Sequence, residues 1–234
     1  LLSERARSSY REELEGASTS SQTTRSDRER ALRFYREALP KIEADSRSKV
    51  LIQMGHLQQM NGQESEAIKT YASIQDPQVA GEAALAIAEI HFKKNRYAEA
   101  EKFYERTLAS SGSVSKGYAT YRLAWSRFYT GKKASAAELL EKILNTPALL
   151  NRSGSTAAVE PDSQFQEEVS RDLVTFLVQS APRTGEAELI FSLTPENARL
   201  GHLFYMATEL ERLGQKERSL VVYRYLLSQE TRMP

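Results

Sequence analysis

The chain contains no cysteine. Disulfide bridges, thiolate metal sites and cysteine nucleophiles are therefore excluded, while the redox compartment stays open, because exported and cytosolic proteins alike can lack the residue. No apolar run approaches the ~20 residues that a helix needs to cross a bilayer. Net charge is nearly absent: 32 basic residues against 31 acidic ones leave +1. That balance argues against an electrostatically driven nucleic-acid binder, which carries a strongly basic face. Histidine is scarce too. His56, His91 and His202 stand far apart, and no pair has the three- or four-residue spacing of a helical metal site, so no metal is expected. Glycine-rich phosphate loops, dinucleotide fingerprints and Gly-x-Ser-x-Gly elbows are missing. Glu99, Glu101 and Glu105 interleave with Lys102 and Arg106, the pattern of a solvated, ion-paired helix face and not of an acid–base couple. Neither an enzyme nor a cofactor is expected.

What the chain has is a repeat. Small residues follow runs of helix-forming sequence at Ala31, Ala67, Ala100, Ala136, Ala187 and Ser219, in steps of 36, 33, 36, 51 and 32 residues. A period near ~34 that sets a small residue between two apolar-periodic segments marks stacked helical hairpins. The expected fold is an all-α solenoid of antiparallel hairpins with no sheet, since no segment alternates with a period of two. The 40% hydrophobic and 27% charged content is that of an ordered chain, and a repeat array needs no single large core because each unit packs on its neighbours.

Four divisions follow. Residues 1–26 read as a helix of weak amphipathicity followed by a polar linker, Gly16 to Thr24, with Asp27 as N-cap of the next helix, which stops at Pro40. Residues 27–147 hold a half-unit and three regular repeats, which turn at Gly62, Asn95-Arg96 and Gly131 and end on prolines such as Pro77 and Pro147. The 51-residue step exceeds the period by about 17, which places an insertion at 148–164. Residues 165–234 hold a degenerate repeat, Phe165 to Leu193, and a terminal hairpin that turns at Gly214. The chain begins at Leu1 and not at Met, so it is expected to be a fragment or trimmed chain, with any signal peptide or lipid-anchor cysteine upstream.

Met54-Gly55, Gly62, Ala67, Tyr71 and Pro77 fill one frame. Ile87-Ala88, Ala100, Tyr104 and Leu108 fill it again, as do Leu123-Ala124, Gly131, Ala136, Leu140 and Pro147, and Met206-Ala207, Gly214 and Tyr223. The frame resembles the tetratricopeptide repeat over about residues 27–229, with Arg127 where that family prefers an aromatic and Ser219 in place of alanine. Tyr121-Arg-Leu-Ala-Trp125 with Phe128, Tyr129 and Gly131 is similar to repeats of bacterial periplasmic and outer-membrane proteins of this family, including lipoproteins of envelope-assembly and gliding-motility machines. The periplasmic side of the envelope is accordingly the expected location, with the cytoplasm as alternative.

The resemblance implies a scaffold that binds a peptide or partner helix on a concave face lined by the first helix of each hairpin. Carried onto this sequence, that face holds His56, Glu89 and Phe92, then Tyr118, Tyr121, Arg122, Trp125 and Tyr129, the last five in one stripe at helical spacing. Aromatics and arginine are the usual makings of a binding hot spot. The competing reading is that Tyr121 and Trp125 plug the contact to flanking helices. A carboxylate clamp of the chaperone-binding members is not expected, because Ile52, His56, Leu85 and Glu89 occupy its lysine and asparagine positions. The expected partner is a protein or peptide, with no nucleic acid, and with any membrane attachment outside this chain. The alternative role is a structural spacer or oligomerisation module in a larger envelope protein.

Overall fold

The structure is a computed structural model that describes residues 21–112, 114–152 and 161–230. The helix expected over residues 1–15 lies outside the described residues, as does most of the linker after it. Among the described residues, helix α1 (Ser21–Ala38) precedes five hairpins: α2 (Ala44–Met60) with α3 (Glu64–Ala72), α4 (Pro77–Lys93) with α5 (Tyr97–Ala109), α6 (Lys116–Tyr129) with α7 (Lys133–Leu144), α8 (Ser163–Val178) with α9 (Glu186–Leu193), and α10 (Arg199–Arg212) with α11 (Lys216–Glu230). No strand occurs among the described residues. The fold is the all-α solenoid that the period demands.

One turn geometry recurs. Gly62, Asn95, Gly131 and Gly214 all have positive φ, between 57° and 83°. In each, the amide two residues past the helix cap donates back to the first helix: Gln63 to Gln58, Arg96 to His91, Lys132 to Arg127 and Gln215 to Leu210. This closure occupies the last orphan carbonyls of the first helix and reverses the chain. Asparagine is the residue other than glycine that best tolerates the left-handed region, which is why it serves in the second hairpin.

The small residues seat the hairpins. Ala67, Ala100 and Ala136 have no exposed surface, and Ala31, Ala187 and Ser219 have 3% or less. A methyl-sized side chain there lets paired helices cross closely. Ser219 meets the requirement by turning its hydroxyl back, donating to the Ala207 carbonyl at 3.0 Å.

Two expectations are corrected. Asp27 is not an N-cap, because α1 already begins at Ser21 and places Asp27 within its second turn. The helix extends backward through polar residues because Ala31 and Leu32 dock it on α2, and once a helix is nucleated each added residue costs little. The insertion ends earlier than expected: Asp162 caps α8 by accepting from the Phe165 amide at 3.0 Å. The unit whose repeat pattern is degenerate lies at the centre of the largest core cluster among the described residues. Phe165, Val169, Leu173, Val174, Phe176 and Leu177 are fully buried and join a cluster that runs from Tyr121 to Leu226.

The base of the insertion is laid against α6. Leu150 is buried, its carbonyl accepts from the Asp162 amide at 2.8 Å, and the Ser115 hydroxyl donates to the Asn151 carbonyl at 3.0 Å. Gly117 leaves room for this approach, since a Cβ there would fall 2.0 Å from the Leu149 carbonyl oxygen. Arg152 is thereby delivered beside α6 and α8.

Candidate functional site

The first helices α4, α6 and α8 stand side by side, and their polar and aromatic side chains meet across the seams. Arg122 on α6 donates from both Nε and Nη2 to Glu89 on α4, at 2.9 and 2.8 Å. Its guanidinium lies 3.7 Å over the Phe92 ring. Burial works most strongly against the Arg122 charge, but the hydrogen bonds to Glu89 together with the electrostatic effect of Tyr104, Glu89 and Tyr118 outweigh it and hold the pKa above the ordinary value. Glu89 accepts in addition from the Tyr104 hydroxyl, so its carboxylate is shared by a cation and a neutral donor. A planar guanidinium stacked on a ring and clamped from the side is a fixed element of the surface, not a free donor.

On the other side of α6, Tyr121 and Trp125 converge on α8. The single Tyr121 hydroxyl proton is shared between Asp172 Oδ2 at 2.6 Å and Glu168 Oε1 at 2.8 Å, and Trp125 Nε1 donates to Asp172 Oδ2 at 2.9 Å. Burial holds the Asp172 carboxyl above its usual pKa, opposed by those two donors and by the neighbouring Arg171. The Tyr121 hydroxyl is pushed upward for the same reason, with the Asp172 carboxylate adding to it. Glu168 is paired with Arg152, whose guanidinium also lies 4.7 Å from the Phe165 ring centroid.

An aromatic series continues outward from Trp125. Its ring lies 5.4 Å from Tyr129, and Tyr129 stacks on Tyr97 at 4.3 Å and faces Phe92 at 6.1 Å. Behind it, Trp125 meets Phe176 edge-on at 4.8 Å, and Phe128 stacks on Phe176 at 4.2 Å. Between the two groups lies an open cleft of about 300 Å³ lined by Phe92, Tyr118, Tyr121, Arg122, Trp125, Tyr129, Arg152 and Glu168.

The structure thus brings together seven of the eight residues expected on this face and separates one. His56 is a hairpin away: its Nδ1 meets the Tyr71 hydroxyl at 3.0 Å, and its Nε2 lies 3.5 Å from Glu82 Oε1. The five-residue stripe of α6 is also not uniformly available. Tyr121 is only 8% exposed and belongs to the core, and Trp125 packs against that same core. For these two the competing reading, packing against flanking helices, describes most of each ring. Tyr129, at 50% exposure, is the residue of the stripe that faces solvent. Glu168, Asp172 and Arg152 were not among the expected residues. The available signal was two carboxylates four apart, Glu168 and Asp172, which places them on one face of a helix whose opposite face is apolar. Among the described residues, no group of three or more histidine or acidic side chains is placed to hold a metal ion.

Comparison with known proteins places the same segment in a family. Residues 118–146, which span α6 and α7, match the tetratricopeptide repeat. No curated protein matches the chain. Two solved structures of a Podosopora anserina kinesin-light-chain candidate with nearly identical TPR-like repeats are similar at 15% identity. One gives a TM-score of 0.48 over 99% of this chain and 94% of that one. The other, a point variant of the same protein, gives 0.47 over 99% and 95%. The repeat family is supported for residues 118–146, whereas the envelope-lipoprotein type finds no support in these comparisons. No helix of the described residues is long and apolar enough to cross a membrane.

Proposed function

We propose that the chain is a non-enzymatic scaffold that holds a peptide or helix of a protein partner across the face formed by α4, α6 and α8. Tetratricopeptide repeats as a class mediate protein–protein interaction. The observation that carries the reading is Tyr129. It is a half-exposed aromatic, stacked on Tyr97, at the rim of a cleft whose other walls are Phe92, Trp125 and a clamped Arg122. Rigid aromatic and arginine side chains on a preorganised surface lose little entropy when a partner covers them. Titratable groups at the cleft serve as hydrogen-bond partners of one another, an arrangement that suits recognition better than proton transfer.

A second reading has its own observation. The terminal hairpin α10–α11 leaves Phe204, Leu220, Val221 and Leu227 more than half exposed, as a spacer or self-associating module would. A photo-crosslinking residue at position 129 or 220, used in the source cells, separates the two. Crosslinking from 129 to a different protein, lost in Tyr97→Ala, supports the scaffold. Crosslinking from 220 to a second copy of this chain, with none from 129, replaces it. An envelope location belongs to the same proposal and is tested by fractionating those cells.

A further inference from the structure

We propose that Asp172 is the anchor for a basic side chain, lysine or arginine, of the segment bound in this cleft. The inference rests on the scaffold reading and adds the chemistry of what is held.

The charges around the cleft account for one another except at this residue. Arg122 is clamped by Glu89, and Arg152 is paired with Glu168. Asp172 has only two neutral donors, the Tyr121 hydroxyl and Trp125 Nε1, and both are directed at the same oxygen, Oδ2. Oδ1 accepts no hydrogen bond from the described residues, yet it is not sealed from solvent. The nearest cation in sequence, Arg171, acts on Asp172 only at a distance, with no ion pair between them, and its guanidinium lies 5.4 Å from the Tyr205 ring centroid. Behind two of the cleft's lining residues, Tyr121 and Trp125, there is thus one half-buried carboxylate oxygen that no cation of the described residues pairs with directly.

What covers that oxygen is constrained by elementary energetics. An apolar side chain seated over it would strip the carboxylate of water and give nothing in return. An acidic one would add like charge. A lysine or arginine supplies the missing donors as charge-assisted hydrogen bonds. The walls suit the same group, because Trp125 and Tyr129 present ring surface beside the carboxylate, and a cation near an aromatic face is attracted by its quadrupole. The long methylene stem of either side chain finds apolar contact along Phe92 and Trp125 while its head reaches the acid.

The protein supplies its own control. In Asp172→Asn the side-chain oxygen still accepts from Tyr121 and Trp125, so the packing between α6 and α8 is kept and only the charge is removed. The probe is a library of random dodecapeptides displayed on phage, panned on the wild-type chain and counter-panned on Asp172→Asn and Tyr129→Ala. Selected peptides enriched in lysine or arginine, and weakened at least about tenfold by Asp172→Asn, are the expected result. Peptides that lack a basic residue, or that depend on Tyr129 but bind Asp172→Asn as they bind wild type, overturn the inference and leave the scaffold reading intact. Selection that yields nothing dependent on Tyr129 or Asp172 overturns both.

Discussion

Replacing Gly55 by alanine tests the packing logic of the array at its tightest point. Gly55 sits on α2 opposite Tyr71 on α3, and a Cβ at position 55 would fall 2.3 Å from Tyr71 Cε1 and 2.5 Å from Cζ. In an unconstrained helix, glycine to alanine gains about 1 kcal/mol. Here the ring has no free direction. Tyr71 is 1% exposed, and its hydroxyl donates to Gln59 Oε1 at 2.6 Å and meets His56 Nδ1 at 3.0 Å. Overpacking costs roughly 1–3 kcal/mol, and displacing the hydroxyl weakens hydrogen bonds worth about 1 kcal/mol each. The second hairpin seats Ala88 against Tyr104 at the same sixteen-residue spacing, so helices of this kind can stand one methyl group farther apart. That relief moderates the cost, and the expected net effect is a loss of about 1–2 kcal/mol. Urea unfolding followed by circular dichroism at 222 nm measures it, with the Tyr71→Leu background as the second arm. Leucine is what the third hairpin places opposite Ala124, as Leu140, so Gly55→Ala should be neutral or stabilising there. A Gly55→Ala chain as stable as wild type in the tyrosine background would refute the reasoning.

Gly131→Ala meets no atom within 4 Å, so its expected loss comes from φ at 83° alone, about 1–2 kcal/mol; Gly131→Asn should recover much of it in the same unfolding assay. Asp172→Asn should raise stability at neutral pH. Its folded pKa lies above the ordinary 3.8, so native stability is lost as pH rises from 3.8 to the folded value, and the deficit persists above it. The advantage of the asparagine variant over wild type, read as a urea midpoint, should shrink as the pH is lowered toward 4. His202 titrates in the opposite sense. Burial lowers its pKa below 6.5, so its contribution is complete above 6.5 and is lost as pH falls through the folded value. The unfolding midpoint of His202→Gln should therefore decline less than that of wild type between pH 7 and 5. Replacing both Tyr121 and Trp125 by alanine should lower the melting temperature sharply, because both pack on the core around Phe165 and Phe176. A double variant that melts like wild type would show that these rings contribute nothing to the contact between α6 and α8.

Much of the fold was legible because its rules are local. Gly62, Asn95, Gly131 and Gly214 announce left-handed turns by residue type, and Ala67, Ala100 and Ala136 announce close helix crossings by size and period. The unit α8–α9 was hard to read for a physical reason: α9 has only two turns, and its small residue stands 51 positions after the preceding one. Arg127 looked like a defect in an aromatic position. It is instead one end of an ionic network with Glu101 and Glu105, with a further hydrogen bond to Ser135, and Lys132 shares Glu101. The site was half legible. Its α6 stripe follows helical spacing, but the partners of the Tyr121 hydroxyl lie 47 and 51 residues away, across the insertion. No periodicity reports a contact of that span, and exposure, which separates Tyr129 from Tyr121, depends on where α8 docks.

The partition of the buried core gives the array a direction. From Tyr121 to Leu226 one continuous cluster ties α6 through α11, whereas α1 to α5 rest on three smaller clusters, the last of which reaches α6 through Leu123. In a chain whose units are held by their neighbours, opening begins where the shared surface is least. Hydrogen exchange should therefore spread from α1 inward and stall at α6. The helix at that frontier is the one that carries Arg122, Trp125 and Tyr129. Any partner that bridges α4 and α8 would span the junction between the part of the molecule that loosens and the part that holds, and its arrival would register as protection of the amino-terminal hairpins.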